Sequence, residues 1–302
     1  MKKFELTTEF KISLGVKLFR IRALFDFGYI KAGELGGWIE SENNLSQSGD
    51  AWVSGNAKVY GDAWVSGNAK VYGDAEVSGD AKVYGNAKVY GDAWVSGNAK
   101  VYGDAEVYGD AGVYGNAKVY GDAEVYGDAW VSGDAKVYGD AEVYGDAGVS
   151  GNAGVYGNAK VYGDAWVSGN AKVYGDAKVY GDAWVSGDAK VYGDAEVYGD
   201  AGVYGDAWVY GNAKVYGDAK VYGDARVSGN ADYAIAQGFG SEYRATTFFR
   251  LNDGNVGVKC GCFYGTLNEF REKVKETHGE TKRAKEYLML ADLMEYRFSK
   301  ER

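Results

Sequence analysis

Gly49-Asp50-Ala51-Trp52-Val53-Ser54, then Gly55-Asn56-Ala57-Lys58-Val59-Tyr60, begins a six-residue pattern that runs unbroken to Ser228. Thirty hexads read Gly, Asp or Asn, Ala, a variable residue, Val, and Tyr or Ser. A fixed period of this kind is the signature of a repeat architecture. Within a hexad, Ala-x-Val-Tyr/Ser is the strand. Alternation along a strand puts Ala and Val on one side, and the variable residue and Tyr/Ser on the other. Only Ala and Val keep a constant size, which turns them inward. Gly and Asp/Asn make the corner, as residues that tolerate positive φ.

These hexads match the repeat of left-handed parallel β-helices, in which three hexads form one triangular coil. The expected fold class is an all-β left-handed parallel β-helix with an N-terminal β cap and a small C-terminal α+β domain. About ten coils at ~4.7 Å spacing give a prism of roughly 47 Å. Sorting the variable position by every third hexad separates three faces. One is Lys-rich, from Lys82 to Lys190; one mixes Lys and Glu; one collects Trp and Gly, with Lys only at its ends. Tyr columns run from Tyr72 to Tyr216 and from Tyr84 to Tyr210, while the Trp face carries mostly Ser at that position. Three Val per coil bury too little to offset chain ordering at ~1–2 kcal/mol per residue. Stacked Tyr and inter-coil hydrogen bonds are therefore expected to supply much of the rest.

Charge and composition narrow the function classes. Gly is abundant (47) and Pro absent, which excludes collagen. The net charge of −10 lies in the array, where 21 Asp and 5 Glu face 13 Lys and 1 Arg. An acidic rod is not expected to bind DNA. No apolar run is long enough for a membrane span, and Phe4 to Glu9 after Met1-Lys2-Lys3 is not the apolar core of a signal peptide. Two Cys make no disulfide framework. A cytoplasmic protein is expected.

Residues 1–48 read as a hairpin plus an imperfect first coil: a strand over Lys17–Leu24, a turn at Leu14-Gly15, and an earlier strand around Phe10–Ile12. This segment would cover the open end of the helix spanning 49–230. Residues 231–302 read as an α+β unit of two strands and two helices. Ala234–Gly240 is a connector, Arg244–Leu251 and Asn255–Phe263 are the strands, and Thr266-Leu267-Asn268-Glu269 opens a helix as a capping box. That helix ends at Gly279, and a second spans Thr281–Phe298. Val256, Val258, Cys260 and Cys262 fall on one face, so both Cys are expected in the core.

Four groups are candidates for chemistry. Trp94, Trp130, Trp166 and Trp184 form a row suited to a protein interface or to stacked sugar rings. Nine Asp from Asp74 to Asp218 line one corner; local Asx bonding explains them better than a cation site. Cys260, Cys262 and His278 are the soft ligands, more economically read as core thiols and a helix-terminal cation than as zinc or thiol chemistry. Arg244, Thr246, Thr247 and His278 are the candidates for a small anion. No metal or cofactor is expected. An acyltransferase needs a His base, and the array holds no His.

Arg22-Ala23-Leu24, Gly33-Glu34-Leu35-Gly36-Gly37-Trp38-Ile39 and Asn44-Leu45-Ser46, followed by hexads, resemble bacterial and phage hexapeptide-repeat proteins of the YdcK-like, polymer-forming type. Gly240-Ser241-Glu242, Arg244, Thr246-Thr247-Phe248, Lys259-Cys260-Gly261-Cys262-Phe263, Gly265-Thr266-Leu267 and Thr277-His278-Gly279 resemble a small domain of unknown function appended to them. The resemblance implies the β-helix and a bacterial or phage setting. The function expected is a non-enzymatic rigid scaffold that binds a protein partner or itself and presents the C-terminal domain. The alternatives are a phage-type accessory protein that sequesters a small anionic ligand, such as a nucleotide immune signal, and an enzyme using Cys262 and His278.

Overall fold

The computed structural model describes residues 2–240 and 242–299. Met1 and Ser241, both used in reading the sequence, lie outside them, as do residues 300–302. The chain is a β-solenoid that divides into two compact units, 1–163 and 164–302.

In the first unit each hexad contributes a short strand centred on the variable residue and Val. Strands 18 residues apart pair in parallel: Lys70 with Lys88, Trp94 with Gly112, Lys100 with Lys118. Three hexads therefore make one coil, as the column sorting requires. Every array Ala and Val is 0 or 1% exposed. The corner differs from expectation in one respect. Positive φ is confined to Gly, at 64–78° in this unit's array, and no Asp or Asn adopts it. The next coil explains the strictness. A Cβ on Gly73 would sit 3.0 Å from the Gly91 nitrogen and oxygen, so the position demands both left-handed backbone and no side chain.

Outside the paired strand residues the bonds between coils run from the N–H of one coil to the C=O of the next, as in Asn56 N to Gly73 O at 2.9 Å. The first coil thus exposes carbonyls that nothing before it can satisfy, and the N-terminal segment supplies donors. Phe4–Ser13 and Val16–Ala23 form an antiparallel hairpin, closed by Leu14 and Gly15 at positive φ. Leu35–Ile39 pairs in parallel with Lys58-Val59 and begins the solenoid. At one corner Lys3 Nζ donates to Gly49 O (3.2 Å) and Ala51 O (2.8 Å). At another Asn44 Nδ2 donates to Gly61 O (2.9 Å) and Ala63 O (3.0 Å). On the third side Trp38 N donates to Ala57 O at 2.9 Å. Burial brings the Lys3 ammonium down to about 8, partly opposed by nearby Asp50.

In the second unit the hexads continue in the same register, for example Lys172 with Lys190, up to Arg226-Val227. The final coil has the opposite need, since its N–H groups lack acceptors. Asn230 Oδ1 accepts from Lys214 N and Thr247 Oγ1 from Lys220 N, both at 2.9 Å. Beyond it stands a four-stranded antiparallel sheet, Tyr233–Ala236, Thr246–Arg250, Val256–Cys260 and Phe263–Thr266. It is covered by α1 (Leu267–His278) and α2 (Lys282–Phe298). Two strands more than expected are present. Tyr233–Ala236 replaces part of the connector. The second expected strand is broken at Gly261 (φ 55°), where the chain reverses into Phe263–Thr266. The Thr266/Glu269 capping box and the Gly279 C-cap are present. Phe248, Val258, Phe270, Val274, Ala291 and Phe298 are core residues. Among the described residues no helix is long and apolar enough to cross a membrane.

Candidate functional site

The outward positions of the first unit sort into faces of different chemistry. On the mixed-charge face Lys and Glu meet one coil apart: Lys88 Nζ lies 2.6 Å from Glu106 and Lys160 Nζ 2.7 Å from Glu142. Beside them Tyr72, Tyr90, Tyr108, Tyr126, Tyr144 and Tyr162 stack at 4.8–4.9 Å, with rings within 3° of parallel. Tyr90 and Tyr108 also donate to the carboxylates of Glu106 (2.9 Å) and Glu124 (2.8 Å), a diagonal bond across coils. Burial, reinforced by these carboxylates, pushes both phenols well above their usual range. Glu106 sits below its usual value: burial pulls it upward, but the bonds from Lys88 and Tyr90 outweigh that.

The Trp face of this unit is different. Trp94, Gly112, Trp130 and Gly148 occupy one column in register, with Ser96, Tyr114, Ser132 and Ser150 beside them. No charge occupies either column over these four coils. Trp94 is 53% and Trp130 49% exposed. Alternation with Gly leaves the indoles standing above the sheet. Trp52, in the same hexad position, is instead 3% exposed, covered by the rings of Phe4 and Phe27.

In the second unit Trp166 and Trp184 are direct neighbours, with ring centroids 6.4 Å apart. Trp184 is 47% exposed and its Nε1 donates to Ser168 Oγ at 3.5 Å. Trp208 belongs to the Lys face, between Lys190 (4.3 Å) and Arg226 (4.3 Å).

The anion candidates divide. Arg244 and His278 border one cavity of about 340 Å³ in the C-terminal sheet-and-helix unit, with Cys260, Cys262, Lys273 and Tyr287. Thr246 and Thr247 do not, each being 1% exposed. The Thr246 hydroxyl donates to Cys260 Sγ at 3.1 Å, and that of Thr247 caps the solenoid. Side chains alternate between the two faces of their strand, and both faces are covered: Phe248 lies in the core under the helices and Thr247 meets Lys220 of the last coil. Cys262 is exposed at the Gly261 turn, not in the core; Cys260 packs against the core. Burial and then Cys260 push the Tyr287 hydroxyl up to about 12. Lys273 and Tyr287 were absent from the sequence reading, because nothing in local sequence ties them to Arg244. The cavity's cations have their own carboxylates: Lys273 lies 2.8 Å from Glu276 and Arg244 3.7 Å from Glu242.

Among the described residues no three His, Cys, Asp or Glu side chains converge as metal ligands. At another corner amides join along the coils, Asn68 Nδ2 to Asn86 Oδ1 (3.0 Å) and Asn86 Nδ2 to Asp104 Oδ1 (2.9 Å).

Residues 81–97 match the family model described as the YdcK beta solenoid repeat. The chain carries a YdcK-type solenoid repeat. The matched stretch includes Trp94, at the start of the uncharged strip, and spans two whole hexads, 85–96, with parts of the hexads on either side. No curated protein matches the sequence.

Proposed function

We propose that the protein is a non-enzymatic solenoid scaffold whose uncharged Trp strip binds a protein surface, in the first instance a second copy of the chain. The observation that carries this reading is the contrast between faces. Two faces of the first unit hold Lys or Glu at most variable positions, whereas the strip from Trp94 to Gly148 holds none. Half-exposed indoles on a flat, uncharged sheet resemble the core of an interface, where aromatics are enriched and charges depleted. The scaffold presents the C-terminal unit, whose Thr247 and Asn230 also close the last coil. The test is light scattering over a concentration series, with W94K/W130K beside the wild type. Association is expected in the wild type and its loss in the variant. A wild type that stays monomeric throughout would remove self-association.

A second reading is favoured by the convergence of Arg244 and His278 on one cavity: capture of a small anion in the C-terminal unit. Carboxylates Glu242 and Glu276 compete for its cations, which places this reading second. Titration with inorganic phosphate, comparing wild type with R244Q, tests it; equal response in both would exclude the cavity.

A further inference from the structure

The tyrosine ladder on the mixed-charge face begins one rung late. Trp52 pairs with Lys70 and Val53 with Val71, and Ser54 N donates to Val71 O at 2.9 Å. Ser54 therefore stands where the rung before Tyr72 would be. Tyr90, Tyr108, Tyr126 and Tyr144 each have a ring on both faces at 4.8–4.9 Å. Tyr72 has Tyr90 on one face only. On its other side lies a cavity of about 270 Å³, bordered by Ser54, Lys70 and Tyr72 and by Tyr29, Asp50 and Trp52. The other ladder of this unit also follows a Ser, but Ser66 is only 7% exposed.

From this we infer that the missing rung at Ser54 is a binding slot for a small planar aromatic carboxylate, whose ring continues the stack on Tyr72 and whose carboxylate meets Lys70. The ladder fixes the geometry, since a ring one rung from Tyr72 repeats the spacing found five times beyond it. The volume is below that of a drug-sized site and suits one or two fused rings. Lys70 sets the charge. Its Nζ lies 5.0 Å from the centroid of the Tyr29 ring, and among the described residues it makes no ion pair. The nearby carboxylate of Asp50 already interacts with the buried Lys3 ammonium. Asn68 donates its Nδ2 to Asn86, which leaves its amide oxygen for a ring hydroxyl or N–H. The slot lies on a different face from the Trp strip and does not depend on the scaffold reading.

The experiment titrates the full chain with 4-hydroxybenzoate, followed by ligand-observed NMR and calorimetry, with cyclohexanecarboxylate as the non-planar control. Saturable binding of the aromatic acid is expected, with the control much weaker. S54Y fills the rung and is expected to abolish binding, and circular dichroism reports whether it folds. K70Q keeps the ladder and is expected to weaken binding about threefold, the scale of an exposed ion pair. No saturable binding, equal binding of the two acids, or unchanged binding in a folded S54Y would each overturn the assignment. Should S54Y not fold, K70Q decides: affinity unchanged in K70Q overturns it.

Discussion

Replacing Tyr108 by Ser removes one interior rung from the ladder that starts at Tyr72. Its ring stacks on Tyr90 and Tyr126, each at 4.9 Å, and its hydroxyl donates to Glu124 at 2.8 Å. A stacked aromatic pair is worth ~0.5–1.5 kcal/mol, so the two stacks contribute about 1–3 kcal/mol. The hydroxyl bond is partly exposed to solvent and adds about 1 kcal/mol. The expected cost of Y108S is therefore about 2–4 kcal/mol. Y72S breaks a single stack and should cost about 0.5–1.5 kcal/mol, while Y108F isolates the hydroxyl. The ladder also makes a non-additive prediction. Three single changes at Tyr90, Tyr108 and Tyr126 break six stacks in all, but the triple variant breaks four distinct ones. Its stacking loss should be about two thirds of the summed singles. Because solenoid stability is a sum of neighbour terms, amide exchange in the adjoining coils is the appropriate readout, beside chemical denaturation. Equal costs for Y72S and Y108S, or full additivity, would refute the view that the rings stabilise through one another.

Two further outcomes follow from the same coils. Tyr84, Tyr90, Tyr102, Tyr108, Tyr120 and Tyr126 are raised above 10, first by burial. A raised folded-state value gives stability that is complete below pH 10 and lost as pH climbs through the folded values. The solenoid should therefore unfold steeply above pH 10, with tyrosinate absorbance rising together with loss of circular dichroism; tyrosines that titrate near 10 in an intact fold would contradict this. At the corners, G91A meets the Gly109 nitrogen at 3.0 Å at φ 73°, whereas G217A at φ 61° meets nothing within 4 Å. Both bear the left-handed strain of ~1–2 kcal/mol, and only G91A should lose more, as read from thermal midpoints.

Periodicity made much of this fold legible. Ala and Val face inward, Gly turns the corner, and every third hexad stacks, because each follows from local chemistry repeated many times. What the sequence did not disclose depends on single long-range contacts. Trp52 reads like Trp94 but lies under Phe4 and Phe27. Thr247 reads as a candidate for a small anion, yet its hydroxyl accepts from Lys220 N, 27 residues away. Cys262 fits the alternation of its strand until Gly261 breaks it with a φ of 55°. Asn/Asp at the corner fits a positive-φ role, but the approach of the next coil's backbone reserves that conformation for Gly. Of the site candidates, Trp94, Trp130 and Trp184 are exposed and Arg244 and His278 border one cavity, whereas the two Thr are buried.

The bonding sense of the coils bears on how such a protein associates. A parallel solenoid has unlike ends, one richer in unpaired carbonyls and the other in unpaired N–H groups, and copies could in principle join head to tail by strand pairing. Here the carbonyl end is occupied by Lys3 and Asn44, each donating to two carbonyls, and the N–H end by Asn230 and Thr247. Joining at either end would have to displace these groups. For Lys3 that means moving a side chain 1% exposed in the cap. Removing such donors leaves buried carbonyls unpaired at ~1–3 kcal/mol each, so growth along the axis is opposed at both ends. Association through the sides meets no such barrier. On the face carrying Lys82, Lys100, Lys118 and Lys136 it would bring like charges together, whereas the strip carrying Trp94 and Trp130 asks only that indoles leave water. The occupied carbonyls and N–H groups and the uncharged strip thus all support the proposed self-association through Trp94 and Trp130.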